Sequence, residues 1–102
     1  MLDFETFKKE ISSLKTVYSV RDQVPYDIID VTDTYLTVLR KSTHKGAKVN
    51  LQGLYDFYAH ETEYTTSNAK KPQYKLNRVQ SPAVGLILAL ISKIVLPQRH
   101  QL

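Results

Sequence analysis

The sequence predicts an α+β fold: a small antiparallel sheet of three to four strands, with an N-terminal helix, a middle helix and an apolar C-terminal helix packed on it. Three observations carry the prediction. Apolar residues recur at helical spacing near the N-terminus, β-branched and aromatic residues crowd the stretch from Val17 to Arg40, and Ser81-Pro82 opens a long apolar run. A chain of 102 residues holds one domain with one core, so residues 1–102 are read as a single unit.

Asp3 is a helix cap, and Phe4, Phe7, Ile11 and Leu14 follow at spacings of three, four and three. That is one apolar stripe of an amphipathic helix. The pattern fades at Ser12-Ser13, and the period then changes. Val17–Val20 reads as a short strand, Arg21-Asp22-Gln23 as a turn, and Tyr26–Val31 with Thr34–Arg40 as an antiparallel hairpin closed at Thr32-Asp33. Strict alternation puts Ile29 and Val31 on one face with Leu36 and Val38, and leaves Tyr26, Ile28, Tyr35 and Leu39 on the other. It also sends Asp27 and Asp30 to opposite faces.

Lys41–Gly46 is a loop by composition, and Ala47-Lys48-Val49 returns as a further strand. Asn50 caps a second helix with the stripe Leu51, Leu54, Tyr55 and Tyr58, ending near His60. Gly53 weakens that helix by about 1 kcal/mol relative to Ala. From Thr62 to about Gln80 the sequence turns polar and loses its period, which predicts a mobile or functional loop with a short strand near Gln73–Leu76. Ser81 as cap and Pro82 at the first helical position begin the last helix, which Pro97 ends at Leu96.

Eleven of the fifteen residues from Pro82 to Leu96 are Ala, Val, Leu or Ile, so this helix is apolar nearly all round and belongs in the middle of a core or an interface. At 1.5 Å per residue it spans roughly 22 Å, short of the ~30 Å hydrocarbon slab, and Lys93 interrupts it. No membrane span is expected. Gly85, Ala89 and Ser92 form a small-residue face, a candidate homodimer interface.

The absence of Cys excludes disulfides, thiolate zinc sites and cysteine nucleophiles. It accords with a reducing compartment, and Asp3 and Glu5 at the N-terminus are unlike a secretory signal, so a cytoplasmic location is the default expectation. Seven of the ten aromatics are Tyr and none is Trp. Phenols bury their rings but need hydroxyl partners, which places several at the core edge.

The charge is uneven. Residues 1–63 carry eight Lys/Arg and ten Asp/Glu, a net of −2, whereas residues 64–102 carry six Lys/Arg and no acid. Two segments concentrate the cations without any acid: Arg40, Lys41, His44, Lys45 and Lys48 at the hairpin tip, and Lys70, Lys71, Lys75 and Arg78 around Tyr74. Brought together, they would track phosphates, with Tyr64 and Tyr74 placed to stack on bases.

Catalysis has little support. No nucleophile elbow or glycine-rich phosphate loop is present, and no cofactor is implied. Asp56, His60 and Glu63 have helical spacing for a metal, but a solvated pair at a helix C-terminus accounts for them better. The sequence therefore points to a non-catalytic binding module. Its first reading is a nucleic-acid-associated accessory protein acting through basic loops; its second is a homodimeric interaction module acting through helix 81–96.

Overall fold

The computed structural model describes the backbone of residues 1–100 and the side chains of residues 1–94. Asp3 accepts a hydrogen bond from the Thr6 amide at 2.8 Å and starts helix α1, Phe4–Ser12, whose Phe7 and Ile11 are fully buried. Strands β1 (Thr16–Tyr18), β2 (Pro25–Val31), β3 (Tyr35–Arg40) and β4 (Lys45–Asn50) follow, each antiparallel to the next, in the spatial order of the sequence. Asn50 caps helix α2, Leu51–His60, accepting from the Gly53 amide at 2.7 Å. A short helix α3 (Thr66–Ala69) and a 3-10 turn (Pro72–Tyr74) lead to α4, Gln80–His100.

This is the expected α+β architecture: a four-stranded antiparallel sheet with N-terminal, middle and C-terminal helices. One cluster holds the core. It joins Phe7 and Ile11 of α1, Val17, Leu36, Val38 and Val49 of the sheet, Leu54 and Phe57 of α2, and Ala83, Leu86, Ile87 and Leu90 of α4. Burying each large aliphatic side chain contributes about 1.5–3 kcal/mol. Three tyrosines packed in or against this cluster have their hydroxyls engaged. Tyr55 donates to the Leu2 carbonyl, Tyr64 donates to the Tyr58 carbonyl, and the Tyr58 hydroxyl accepts from the Leu2 amide. Among the described residues, no helix is long and apolar enough to cross a membrane.

The structure corrects the sequence reading at four places. First, the β2–β3 register slips between Ile28 and Asp30, so Ile29 is bulged. A bulge adds one residue and reverses the alternation beyond it. Tyr26 and Ile28 therefore face the core with Val31, while Ile29 is 54% exposed. By the same slip, Asp27 and Asp30 lie opposite Leu39 and Thr37 and share the outer face.

Second, the stretch from Thr62 to Gln80 is built of short helical turns, and Gln73–Leu76 is not a strand. Its order comes from tertiary burial of Ala69, Tyr74, Leu76 and Val79, which leaves no periodic signature. Third, α4 begins two residues early, at Gln80 rather than Pro82. The Ala83 amide bonds to the Val79 carbonyl at 2.9 Å, so Ser81 lies inside the first turn rather than capping it. Pro82 is still tolerated, because amides of the first turn lack helical partners. Fourth, the α4 backbone continues past Pro97 to His100; a proline removes one helical hydrogen bond but does not by itself end the path.

Both helical glycines mark close approaches of two backbones. A Cβ on Gly53 would lie 1.8 Å from the Tyr74 carbonyl oxygen, and one on Gly85 would lie 2.5 Å from that of Tyr18. At Gly85, α4 packs directly against edge strand β1. Lys93, the one charge in the apolar run, reaches across to Glu10 at 2.7 Å and to the Ser13 hydroxyl, pinning α4 to the end of α1.

Candidate nucleic-acid interface

All core-forming helices lie on the sheet face that carries Val17, Leu36, Val38 and Val49. The opposite face is built by the alternate residues of each strand. Register places Thr16, Asp27, Leu39 and Gly46 in one row, and Asp30, Thr37 and Lys48 in the next. Tyr18 and Tyr35 stand toward its two ends, 53% and 40% exposed. The Lys48 ammonium sits 5.6 Å from the Tyr35 ring centroid. Asp27 accepts from the Thr16 hydroxyl at 2.7 Å and lies 3.6 Å from the Lys41 ammonium.

The β1–β2 and β3–β4 turns fall at the same end of this sheet. At the hairpin tip, His44 takes a left-handed backbone (φ 56°) and its amide bonds to the Arg40 carbonyl at 2.8 Å. The Lys41 amide bonds to the Pro25 carbonyl at 3.2 Å, tying the tip to β2. In the neighbouring turn, the Ser19 hydroxyl accepts from the Val24 amide, and Gln23 is also left-handed (φ 53°). Arg21 thus joins Arg40, Lys41, His44 and Lys45 at one end of the molecule, and all five are exposed. Arg21, Tyr18 and Tyr35 escape the sequence reading as site residues. Their only signal is that two turns of a four-stranded meander must share an end.

The second basic segment is organised differently. Lys70, Lys75 and Arg78 are exposed, and Lys75 (φ 53°) and Arg78 (φ 68°) hold left-handed backbones that cost about 1 kcal/mol each for a residue with a Cβ. Tyr74 is not available for stacking: it is 2% exposed, its ring meets Phe57 edge-on, and its hydroxyl donates to Glu61 Oε2 at 2.5 Å. Lys71 donates to the same oxygen at 2.8 Å. Burial, and then the Glu61 bond, push the Tyr74 phenol up to about 12, while the Lys71 and Tyr74 bonds hold the Glu61 carboxyl below its ordinary value. Tyr64 is half-buried, with its ring against Phe57.

The two basic segments stand apart. Tyr74 packs on Gly53 in the first turn of α2, at the far end of β4 from the hairpin tip. Six strand residues at ~3.3 Å each put roughly 17 Å between them.

No protein-family model, curated protein or solved structure matches this chain.

The remaining candidate residues separate as well. Gly85 is buried under the Tyr18 carbonyl of its own chain, so it is spent on an internal contact. Ala89 is half-buried and Ser92 exposed; with Tyr18, Val20 and Leu88 they line an open groove of about 260 Å³ between α4 and β1. Asp56 accepts from the Gln52 side chain at 3.0 Å, and among the described residues no three His, Asp or Glu side chains group as metal ligands.

Proposed function

We propose that this chain is a small non-catalytic module that binds nucleic acid, the contact surface being the outer sheet face and the basic end into which it runs. One observation carries the reading: every core-forming helix leaves that face open, its exposed Tyr35 lies beside Lys48, and its exposed Tyr18 shares the face with Lys41, which pairs with Asp27. Exposed aromatics next to cations are what a stacking and phosphate-tracking surface requires. Arg21, Arg40, His44 and Lys45 extend the positive surface beyond the sheet. Lys70, Lys75 and Arg78 provide a separate cationic region.

Binding of this kind releases counterions, so affinity falls steeply as salt rises. The two basic regions are separable by charge reversal. Lys41→Glu with Lys45→Glu and Lys48→Glu should abolish binding of labelled oligonucleotides, whereas Lys70→Glu with Lys75→Glu should weaken it only partly. Unchanged affinity in the first triple variant, with its melting curve intact, would show the surface to be misplaced.

A second reading has its own observation. Val20 (49% exposed) and Leu88 (38% exposed) rim the α4–β1 groove with Ala89 and Ser92, a surface suited to pairing with a second copy. Ala89→Glu should then dissociate the pair in sedimentation equilibrium. A wild type that is already monomeric at micromolar concentration refutes that reading.

A further inference from the structure

The outer face is not uniformly basic, and the positions of its acids restrict what it can bind. The register generates two similar groupings. Tyr18 pairs with Pro25, one row from Asp27, and Asp27 meets Lys41 at 3.6 Å. Tyr35 lies one row from the Asp30–Thr37–Lys48 line, with Lys48 over its ring. In each, the aromatic has a carboxylate on β2 and a lysine from the β3–β4 side. The bulge at Ile29 creates this arrangement by bringing Asp30 to the same face as Asp27.

Phosphates are attracted to the lysines and repelled by the carboxylates. A bound strand must therefore run its backbone along Lys41 and Lys48 and turn its bases inward over Tyr18, Tyr35 and β2. A duplex cannot do this, because its bases are already paired and stacked on one another. Six residues of β3 and two strand spacings separate the tyrosines, so the platforms lie about 20 Å apart. Several nucleotides span such a distance.

The base edges then meet carboxylates. Asp27 is already engaged by Thr16 and Lys41. Asp30 is exposed and, among the described residues, has no ion-pair partner within 4.0 Å. Beside both acids lies an open hollow of about 710 Å³, lined by Lys15, Thr16, Asp27, Ile29 and Asp30 among others. A hollow of the same size between α1 and residues 31–33 is crossed by Lys8, which bridges Glu5 and Asp33. An ionised carboxylate accepts hydrogen bonds and donates none. It pairs with the exocyclic amino groups of cytosine or adenine and repels the carbonyl that thymine or uracil presents there.

We propose that the ligand is single-stranded, stacks unpaired bases on Tyr18 and Tyr35, and is selected at Asp30 for bases bearing an exocyclic amino group. This rests on the nucleic-acid reading above and narrows it to a ligand class.

Fluorescence anisotropy with short labelled oligo(dC), oligo(dA), oligo(dT) and a mixed-sequence duplex tests it. Oligo(dC) and oligo(dA) should bind about 5-fold or more tighter than oligo(dT), and the duplex should compete poorly. Tyr18→Thr and Tyr35→Thr, which keep strand propensity, should each weaken binding by about 5-fold or more. Tyr18→Phe and Tyr35→Phe retain the ring and should bind like wild type, which separates stacking from any loss of fold. Asp30→Asn should bring oligo(dC) and oligo(dT) to equal affinity without loss of binding. If the duplex competes equally and the Thr variants bind like wild type, while Lys41→Glu/Lys45→Glu/Lys48→Glu still abolishes binding, the narrower proposal fails and the nucleic-acid reading stands. If wild type binds none of the four probes, both fail.

Discussion

Replacing Gly53 with Ala tests the packing that holds the second basic segment in place. By helix propensity alone, Ala at this position should stabilise α2 by about 1 kcal/mol. The tertiary structure reverses the sign. The added Cβ would stand 1.8 Å from the Tyr74 carbonyl oxygen and 2.9 Å from its carbon. Carbon–oxygen contacts are comfortable near 3.3 Å, so α2 and the 3-10 turn must separate by about 1.5 Å. Neither side can yield cheaply, because the obstacle is backbone and Tyr74 is locked by burial and its bond to Glu61. Overpacking of this kind costs about 1–3 kcal/mol and occasionally more. With backbone on both sides, a net loss of about 2–3 kcal/mol is expected, which lowers Tm by about 10–20 °C in a domain of this size. Thermal and urea unfolding followed by circular dichroism measure it. A Gly53→Ala protein as stable as wild type, or more so, would refute the close approach and with it the placement of residues 72–75 against α2.

Two further predictions concern the fold around the site. The Glu61 carboxyl is held low by the Lys71 bond and then by that of Tyr74, so its contribution is present above about pH 4.5 and is lost as pH falls through its lower folded value. Tyr74 is raised to about 12, chiefly by burial, so its contribution is whole below about pH 10 and is lost as pH rises from about 10 toward 12. The urea midpoint should decline in both windows, and Tyr74→Phe should flatten the alkaline decline; an unchanged alkaline slope in that variant argues against the raised phenol. The bulge predicts that Ile28→Ala costs about 2 kcal/mol while Ile29→Ala stays within about 0.5 kcal/mol. The opposite ranking in urea unfolding would mean that strict alternation runs through β2.

Local chemistry made much of the fold legible. Asp3 and Asn50 cap their helices with their own side chains, and the Phe7–Ile11 and Leu51–Leu54 stripes turn inward as their spacing dictates. The meander of short strands follows from β-branched runs broken by polar turns. Residues 62–80 stayed opaque because Tyr74, Leu76 and Val79 are ordered by α2 and α4, partners far away in sequence. The basic hairpin tip could be recognised from composition, but Tyr74 could not be told from a surface tyrosine, since burial and the bond to Glu61 depend on α2.

The sequence by itself determined an antiparallel sheet with helices on it, an apolar C-terminal helix and two acid-free basic segments, because periodicity, capping and composition act over a few neighbouring residues. Tertiary structure decided the rest. It set Gly85 beneath β1 of its own chain, kept the two basic segments at opposite ends of β4, and turned Asp30 onto the open face by a single bulged residue. Each of these depends on strand register or the close approach of distant backbones, and such contacts are settled only when the chain packs against itself.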